Sequence, residues 1–182
     1  MKVFGIDPGS ERTGYGCVES DGTCHRVVAC GAIATPARAP FPEKLLVIYR
    51  SLTALLAECE PAVVAIENLF YATNVRSALK LGHARGVAVL AAVERGLPVA
   101  EYTPAEIKRA VVGYGRAEKR QVQEMVRVLL GLREVPTPHD AADALAVAIC
   151  HLHQLGSAAA RALAAEGRPQ ARAPKSWRDY KP

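Results

Sequence analysis

Apolar and polar positions alternate in blocks along this chain, and each block has the length of one structural element. MKVFGID reads as a strand, and the DPGS after it has the composition of a turn. Residues 12 to 20 and 24 to 33 read as two further strands joined at Asp21-Gly22, a dipeptide that favours a tight hairpin. Three strands linked by short turns predict an antiparallel meander. From 43 to 58 the period changes, with Leu45, Leu46, Ile48, Tyr49, Leu52, Leu55 and Leu56 at helical spacing. AVVAIE, 62 to 67, predicts a fourth strand, followed by a long helix from about Asn74 to Arg95. Gly96 stops that helix, and LPVAEY, 97 to 102, predicts a fifth strand.

Beyond the fifth strand the pattern is helical. TPAEIK opens with a capping box, Thr103 as N-cap, Pro104 in the first turn and Glu106 three residues on. Gly113 to Gly115 breaks that helix, Glu118 to Leu130 resumes, and TPHDAADALAVAICHLHQ predicts a last helix opening at Thr137, with Asp140 completing a second capping box. After Gly156 the sequence is rich in Ala, Arg and Pro with little periodicity, which predicts disorder. No internal repeat is visible. The expected fold is α/β, a mixed five-stranded sheet of three antiparallel strands then two parallel, with helices on both faces and strands one and four as parallel neighbours. Residues 1–155 form the domain and 156–182 a basic tail.

The 182 residues suffice to bury a real core, and no apolar run is long enough for a bilayer span or a secretory signal. A cytoplasmic protein with no membrane partner is the expectation. Five cysteines without a C-x-x-C pair fit buried thiols in a reducing compartment better than disulfides or a zinc knuckle. Six Lys/Arg and two Asp/Glu in 156–182 account for +4 of the net +5, so residues 1–155 carry only +1. Polyanion binding by the body therefore needs local patches. Lys108, Arg109, Arg116, Lys119 and Arg120 form one, with Glu118 the single acid among them, and Arg76, Lys80 and His83 recur along one helix face.

The chemistry lies in acids placed inside apolar elements. Asp7 closes the first strand, Glu67 closes the fourth, and Asp140 and Asp143 sit at i and i+3 in the last helix. Asp7 also suits a turn before Pro8-Gly9, and Asp140 suits a cap. Asp143, in contrast, is surrounded from Ala141 to Ile149 by apolar residues. If strands one and four are adjacent, the four carboxylates converge. Like charges about 4 Å apart repel by about 4 kcal/mol at an effective dielectric of about 20, so such a cluster requires either bound protons or a divalent cation. All-oxygen ligation suits Mg²⁺ or Mn²⁺, and two such ions about 4 Å apart serve phosphodiester displacement.

Five segments resemble the RuvC-type Holliday-junction resolvases of the RNase H-like superfamily: FGIDPGSERTGYG (Phe4 to Gly16), IENLF (Ile66 to Phe70), SALKLGHARGV (Ser77 to Val87), VVGYGRAEKRQVQ (Val111 to Gln123) and HDAADALAVAICHLH (His139 to His153). They occur in the family's order over residues 1 to about 153. The resemblance implies an RNase H-like fold and Asp7, Glu67, Asp140 and Asp143 as catalytic, metal-holding carboxylates for two Mg²⁺ ions, with Mn²⁺ as a substitute. It implies an endonuclease that nicks four-way DNA junctions symmetrically in recombination and repair, leaving 5′-phosphate and 3′-hydroxyl ends. A homodimer built on the helix from Asn74 to Arg95 and a branch-migration motor complex as partner follow from the same source.

On that resemblance Lys108 and Lys119 are phosphate clamps that support catalysis, and Phe70 is an aromatic that stacks on an exposed base at the branch point. Such stacking is worth about 1–3 kcal/mol. Tyr71, Arg76, Lys80 and Arg116 are further DNA-binding candidates. Gly9 and Ser10 either let backbone approach the scissile phosphate or serve the turn. His83, His139, His151 and His153 read as helix-end histidines. Three rivals are a nuclease for RNA or RNA/DNA hybrids, which shares the carboxylates, an actin-like ATPase or sugar kinase, and a silent junction-binding protein. The kinase reading requires a second D-x-G domain for which this chain has no room.

Overall fold

Strand β1 (Lys2–Asp7) is fully buried from Val3 to Ile6, as a strand covered on both faces must be. The computed structural model describes residues 1–68 and 74–166, with side chains through Ser157. β2 (Arg12–Ser20) pairs antiparallel with β1, and β3 (His25–Ala34) antiparallel with β2. β4 (Val63–Glu67) runs parallel to β1 and β5 (Val99–Tyr102) parallel to β4, giving the order β3-β2-β1-β4-β5. The expected mixed sheet is therefore observed. Helices α1 (Phe41–Cys59) and α2 (Val75–Glu94) cover one face, and α3 (Pro104–Val112), α4 (Lys119–Leu129) and α5 (His139–Glu166) the other.

Local chemistry explains the joints. Asp21 Oδ1 accepts hydrogen bonds from the backbone of Thr23 at 2.9 Å and of Cys24 at 2.8 Å, and Gly22 takes a φ of 104° that other residues resist. At α3 the capping box forms in full: Glu106 N donates to Thr103 Oγ1 at 3.3 Å and Thr103 N donates to Glu106 Oε2 at 2.8 Å.

Two expectations about the last helix are corrected. It opens at His139, with Ala141 N donating to Pro138 O at 2.9 Å, and among the described residues no side-chain hydrogen bond joins Thr137 to Asp140. Asp140 is the second residue of the helix, too early to close a box on Thr137. The helix also continues to Glu166 where disorder was expected from 156. Alanine is the best helix former, and residues 158–166 are mostly alanine, so one Gly156 at a cost of about 1 kcal/mol does not end it. The remaining tail, 167–182, lies outside the described residues.

The histidines are corrected with it, because His151 and His153 lie in mid-helix. His151 Nδ1 shares a 2.7 Å hydrogen bond with Tyr102 OH, and His153 Nδ1 lies 2.9 Å from Ala110 O. Cys17, Cys59 and Cys150 are buried thiols as expected, but Cys24 is exposed on the hairpin. Among the described residues, no helix is long and apolar enough to cross a membrane.

Strand alternation decides which side chains meet. Phe4, Ile6, Val64 and Ile66 pack toward α1 and α2, whereas Val3, Val63 and Ala65 pack toward α5. The α5-facing row of β1 and β2 continues as Gly5, Gly14 and Gly16, with Gly5 paired to Gly16 and Asp7 to Gly14. A Cβ on Gly5 would stand 2.0 Å from Ala144 O, one on Gly14 2.1 Å from Asp140 O, and one on Gly16 2.7 Å from the Leu145 side chain. The three glycines thus form a groove that admits the helix backbone. Gly5→Ala and Gly14→Ala are expected to destabilise the fold by at least about 1–3 kcal/mol, because backbone carbonyls cannot yield as side chains do. Gly82→Ala in α2, where a new Cβ meets nothing within 4 Å, is expected to be neutral or stabilising by up to about 1 kcal/mol. Urea unfolding of the three variants checks the contrast.

Candidate active site

Parity along two strands brings the first pair of acids together. Asp7 follows Val3 and Gly5 on the α5-facing row of β1, and Glu67 follows Val63 and Ala65 on that of β4. Gly5 pairs with Ala65 and Ile6 with Ile66, so the next residues, Asp7 and Glu67, end side by side at the carboxyl edge of the sheet. Helix α5, seated in the glycine groove, carries Asp140 and Asp143 to the same edge. The convergence expected of four carboxylates from three segments is what the chain builds.

Burial pushes Asp7 from its ordinary 3.8 up to about 8, and the charges of Glu67, Asp143 and Asp140 and a hydrogen bond with Glu67 push in the same direction. Burial also raises Glu67, against the hydrogen bond from Asp7 and the nearby Lys119 and Lys108, which lower it. At neutral pH Asp7 therefore holds a proton and shares it with Glu67. Lys119 Nζ reaches Asp143 Oδ2 at 2.6 Å, and that carboxylate raises the lysine's own pKa. A cavity of about 300 Å³ lies among Asp7, Glu67, Asp143, Lys108 and Lys119, floored by Pro104, Ile107, Val122 and Ala146. Asp140 does not line it, although its charge acts on both Asp7 and Lys119.

Among the described residues, no three acidic, histidine or cysteine side chains already stand at distances that would hold an ion. The donor set nevertheless fits a hard cation. All four candidate ligands offer carboxylate oxygen, and two positive charges, the Asp7 proton and the Lys119 ammonium, now satisfy oxygens that a divalent cation would take.

The other expected residues divide. Lys108 and Lys119 line the cavity, as a phosphate clamp requires. Arg116 is exposed in the α3–α4 connection and does not line it. Arg76 and Lys80 are exposed on the first turns of α2, where Asn74 Oδ1 caps the helix by accepting from Arg76 N at 2.9 Å. The Lys80 ammonium lies 5.8 Å from the Phe41 ring, against which His83 also packs edge-on. Phe70 and Tyr71 fall outside the described residues. At Gly9 the turn reading is supported, since Thr13 Oγ1 donates to Gly9 O at 2.8 Å and a Cβ there would stand 2.0 Å from Arg12 O.

A second set of residues holds Asn68, the residue after Glu67, and the sequence carries little sign of it. Arg85 of α2 pairs with Glu101 of β5, and Asn68 Nδ2 donates to the same Glu101 carboxylate at 3.1 Å. Asn68 N donates to Tyr102 O at 2.7 Å. An unusual acid on an edge strand, Glu101 in VAEY, is the only trace of this network in the sequence.

The family model for crossover junction endodeoxyribonuclease RuvC matches residues 3–151. The RuvC protein of Koribacter versatilis is 59% identical over 155 residues, covering 84% of this chain and 93% of its own. That of Chloroflexus aggregans is 54% identical over 153 residues, with the same two coverages. Among solved structures, T. thermophilus RuvC in complex with Holliday junction substrate superposes with a TM-score of 0.83 at 36% identity, covering 87% of this chain and 96% of that one. With all four carboxylates inside the matched residues and relatives at 54% and 59% identity over 84% of its length, the chain belongs to the RuvC family of crossover junction endodeoxyribonucleases.

Proposed function

We propose that this chain cuts four-way DNA junctions by paired nicks, as a homodimer, in recombination and repair. The observation that carries the reading is the carboxylate edge: Asp7 and Glu67 side by side, Asp143 tied to Lys119, and Lys108 across a small cavity. The similar T. thermophilus protein was solved with a Holliday junction as its substrate, which supports the same substrate here. Exposed Leu79, Leu90 and Val93 on α2 supply apolar surface for a second copy, and two-fold symmetry offers each subunit one of two equivalent strands. Membership of the family supports a branch-migration motor complex as a further partner.

Asp7, Glu67, Asp140 and Asp143 would hold Mg²⁺, two ions in all. When bound, the ions would supply charge neutralisation at the attacking and leaving oxygens of the phosphodiester. The remaining work falls to the chain. Asp7 gives up its shared proton so that both carboxylates face the cavity as anions. Lys119 leaves Asp143 and, with Lys108, meets the non-bridging oxygens, where charge grows in the transition state. Ile107, Val122 and Ala146 keep the floor dry, which strengthens these contacts. Water adds at phosphorus, the P–O3′ bond breaks and the departing O3′ takes up a proton, which leaves 5′-phosphate and 3′-hydroxyl ends.

The test is cleavage of an end-labelled four-way DNA junction beside linear duplex and RNA/DNA hybrid, with Mg²⁺ or Mn²⁺. Symmetric nicks on the junction are expected, reduced more than about 100-fold in Asp7→Asn while junction binding persists. Lys119→Ala is expected to slow cleavage by about 10²–10³-fold. Cutting of the hybrid in preference to the junction would overturn the substrate.

The shared proton makes a separate prediction. In metal-free chain the folded state holds the Asp7 proton to about pH 8, against an ordinary value of 3.8. Stability gained in this way is complete below the unfolded value and is lost as pH rises through the folded one. The thermal midpoint of metal-free protein is expected to fall as pH climbs from about 4 to about 8 and to recover at pH 8 with Mg²⁺. Asp7→Asn is expected to flatten the profile. A native profile as flat as the variant's would count against the shared proton.

A further inference from the structure

A second cavity, of about 460 Å³, lies beside the first and is lined by Lys119, Arg120, Gln123, Glu124, Val135 and His139. Lys119 belongs to both cavities. Gln123, the last residue of the Val111–Gln123 segment and one to which the family likeness assigns no role, is only 7% exposed, and its Nε2 has no hydrogen-bond partner. A desolvated amide donor without an acceptor is unfavourable, and native chains keep few of them without cause. Only two other buried side-chain polar atoms among the described residues are in this state, Thr53 Oγ1 and Arg85 Nε, and neither residue lines a described cavity.

The surroundings of Gln123 say what the missing acceptor is. Arg120 is exposed and has no carboxylate partner among the described residues, and it stands with Lys119 in the first turn of α4, the positive end of that helix. His139 adds a ring at the start of α5. The one acid in the lining, Glu124, is paired to Arg127 Nε at 2.8 Å. The cavity is therefore lined by a glutamine whose amide nitrogen lacks an acceptor and by a guanidinium, with an ammonium at its border and its one acid paired to Arg127. That set suits an oxyanion with several acceptor oxygens.

We propose that this cavity is a second phosphate subsite, in which Gln123 and Arg120 donate to the non-bridging oxygens of a DNA phosphodiester flanking the scissile one. The assignment rests on the reading of this chain as a DNA-junction nuclease. It gives Lys119 a place between two consecutive phosphate positions, the cut phosphate on one side and its neighbour on the other. The subsite thereby sets how far the strand advances over the carboxylates.

The test is a coupling experiment. Junctions carrying one neutral methylphosphonate at successive positions around the cut are bound to the full chain in EDTA, which prevents cleavage, beside linear duplex. In the native chain one flanking methylphosphonate is expected to weaken binding about 10–100-fold, the range of a hydrogen bond to a charged group. In Arg120→Ala and in Gln123→Met the same methylphosphonate is expected to cost little more, and Arg120→Ala is expected to lower the salt slope of binding by about 1. Gln123→Met is expected to melt no lower than the native chain, since it removes an unpaired buried amide, a result that a purely structural glutamine would not give. Should Gln123→Met fail to fold, exposed Arg120→Ala carries the test alone. Equal methylphosphonate losses in native and variant chains would overturn the subsite while leaving junction preference over duplex intact. Absence of that preference would overturn the nuclease reading and the subsite together.

Discussion

Everything at the carboxyl edge of the sheet depends on how closely α5 approaches β1 and β2. Gly5, Gly14 and Gly16 leave no room for a single extra carbon between strand and helix, and Ala144 and Ala148 are the small residues of the helix that meet Gly5. Contact of backbone against backbone is stiffer than contact through long side chains, because there are few rotamers to absorb a displacement. The depth at which α5 sits fixes where Asp140 and Asp143 fall relative to Asp7. Two elements far apart in sequence thus share one set of coordinates.

That rigidity concentrates charge that the fold would otherwise disperse. The edge opposes stability: a carboxyl with its pKa raised to about 8 is one that folding has placed in poor surroundings. The chain answers with a proton on Asp7 and with Lys119 against Asp143, both of which can be exchanged for other partners. A permanently paired arginine would have calmed the site and blocked it. The unpaired Gln123 belongs to the same economy, a polar group kept ready where methionine would pack at less cost.

Much of this was legible in the sequence because two periods carry it. Alternation along β1 and β4 is enough to place Asp7 and Glu67 on one face once the strands are known to be parallel neighbours, and the i, i+3 spacing does the same for Asp140 and Asp143. What period cannot show is contact between elements. The glycines were visible, but the helix they admit was not, and the Lys119–Asp143 pair and the Arg85–Glu101–Asn68 network join residues with no sequence relation to one another. The last helix was misjudged at both ends for opposite reasons. Its start followed a capping pattern that the chain does not use, and its end ran on because alanine sustains a helix without any apolar stripe to announce it.

Helix α2 has two sides with different duties. Outward it presents Leu79, Leu90 and Val93, and inward Arg85 grips Glu101, whose carboxylate also holds Asn68, the residue after Glu67. The outer surface of α2 is therefore joined through one ionic clasp to the neighbour of Glu67, a carboxylate proposed to hold metal. Surface and site share a short mechanical path, so whatever steadies the outer face of the helix also steadies the carboxylate edge.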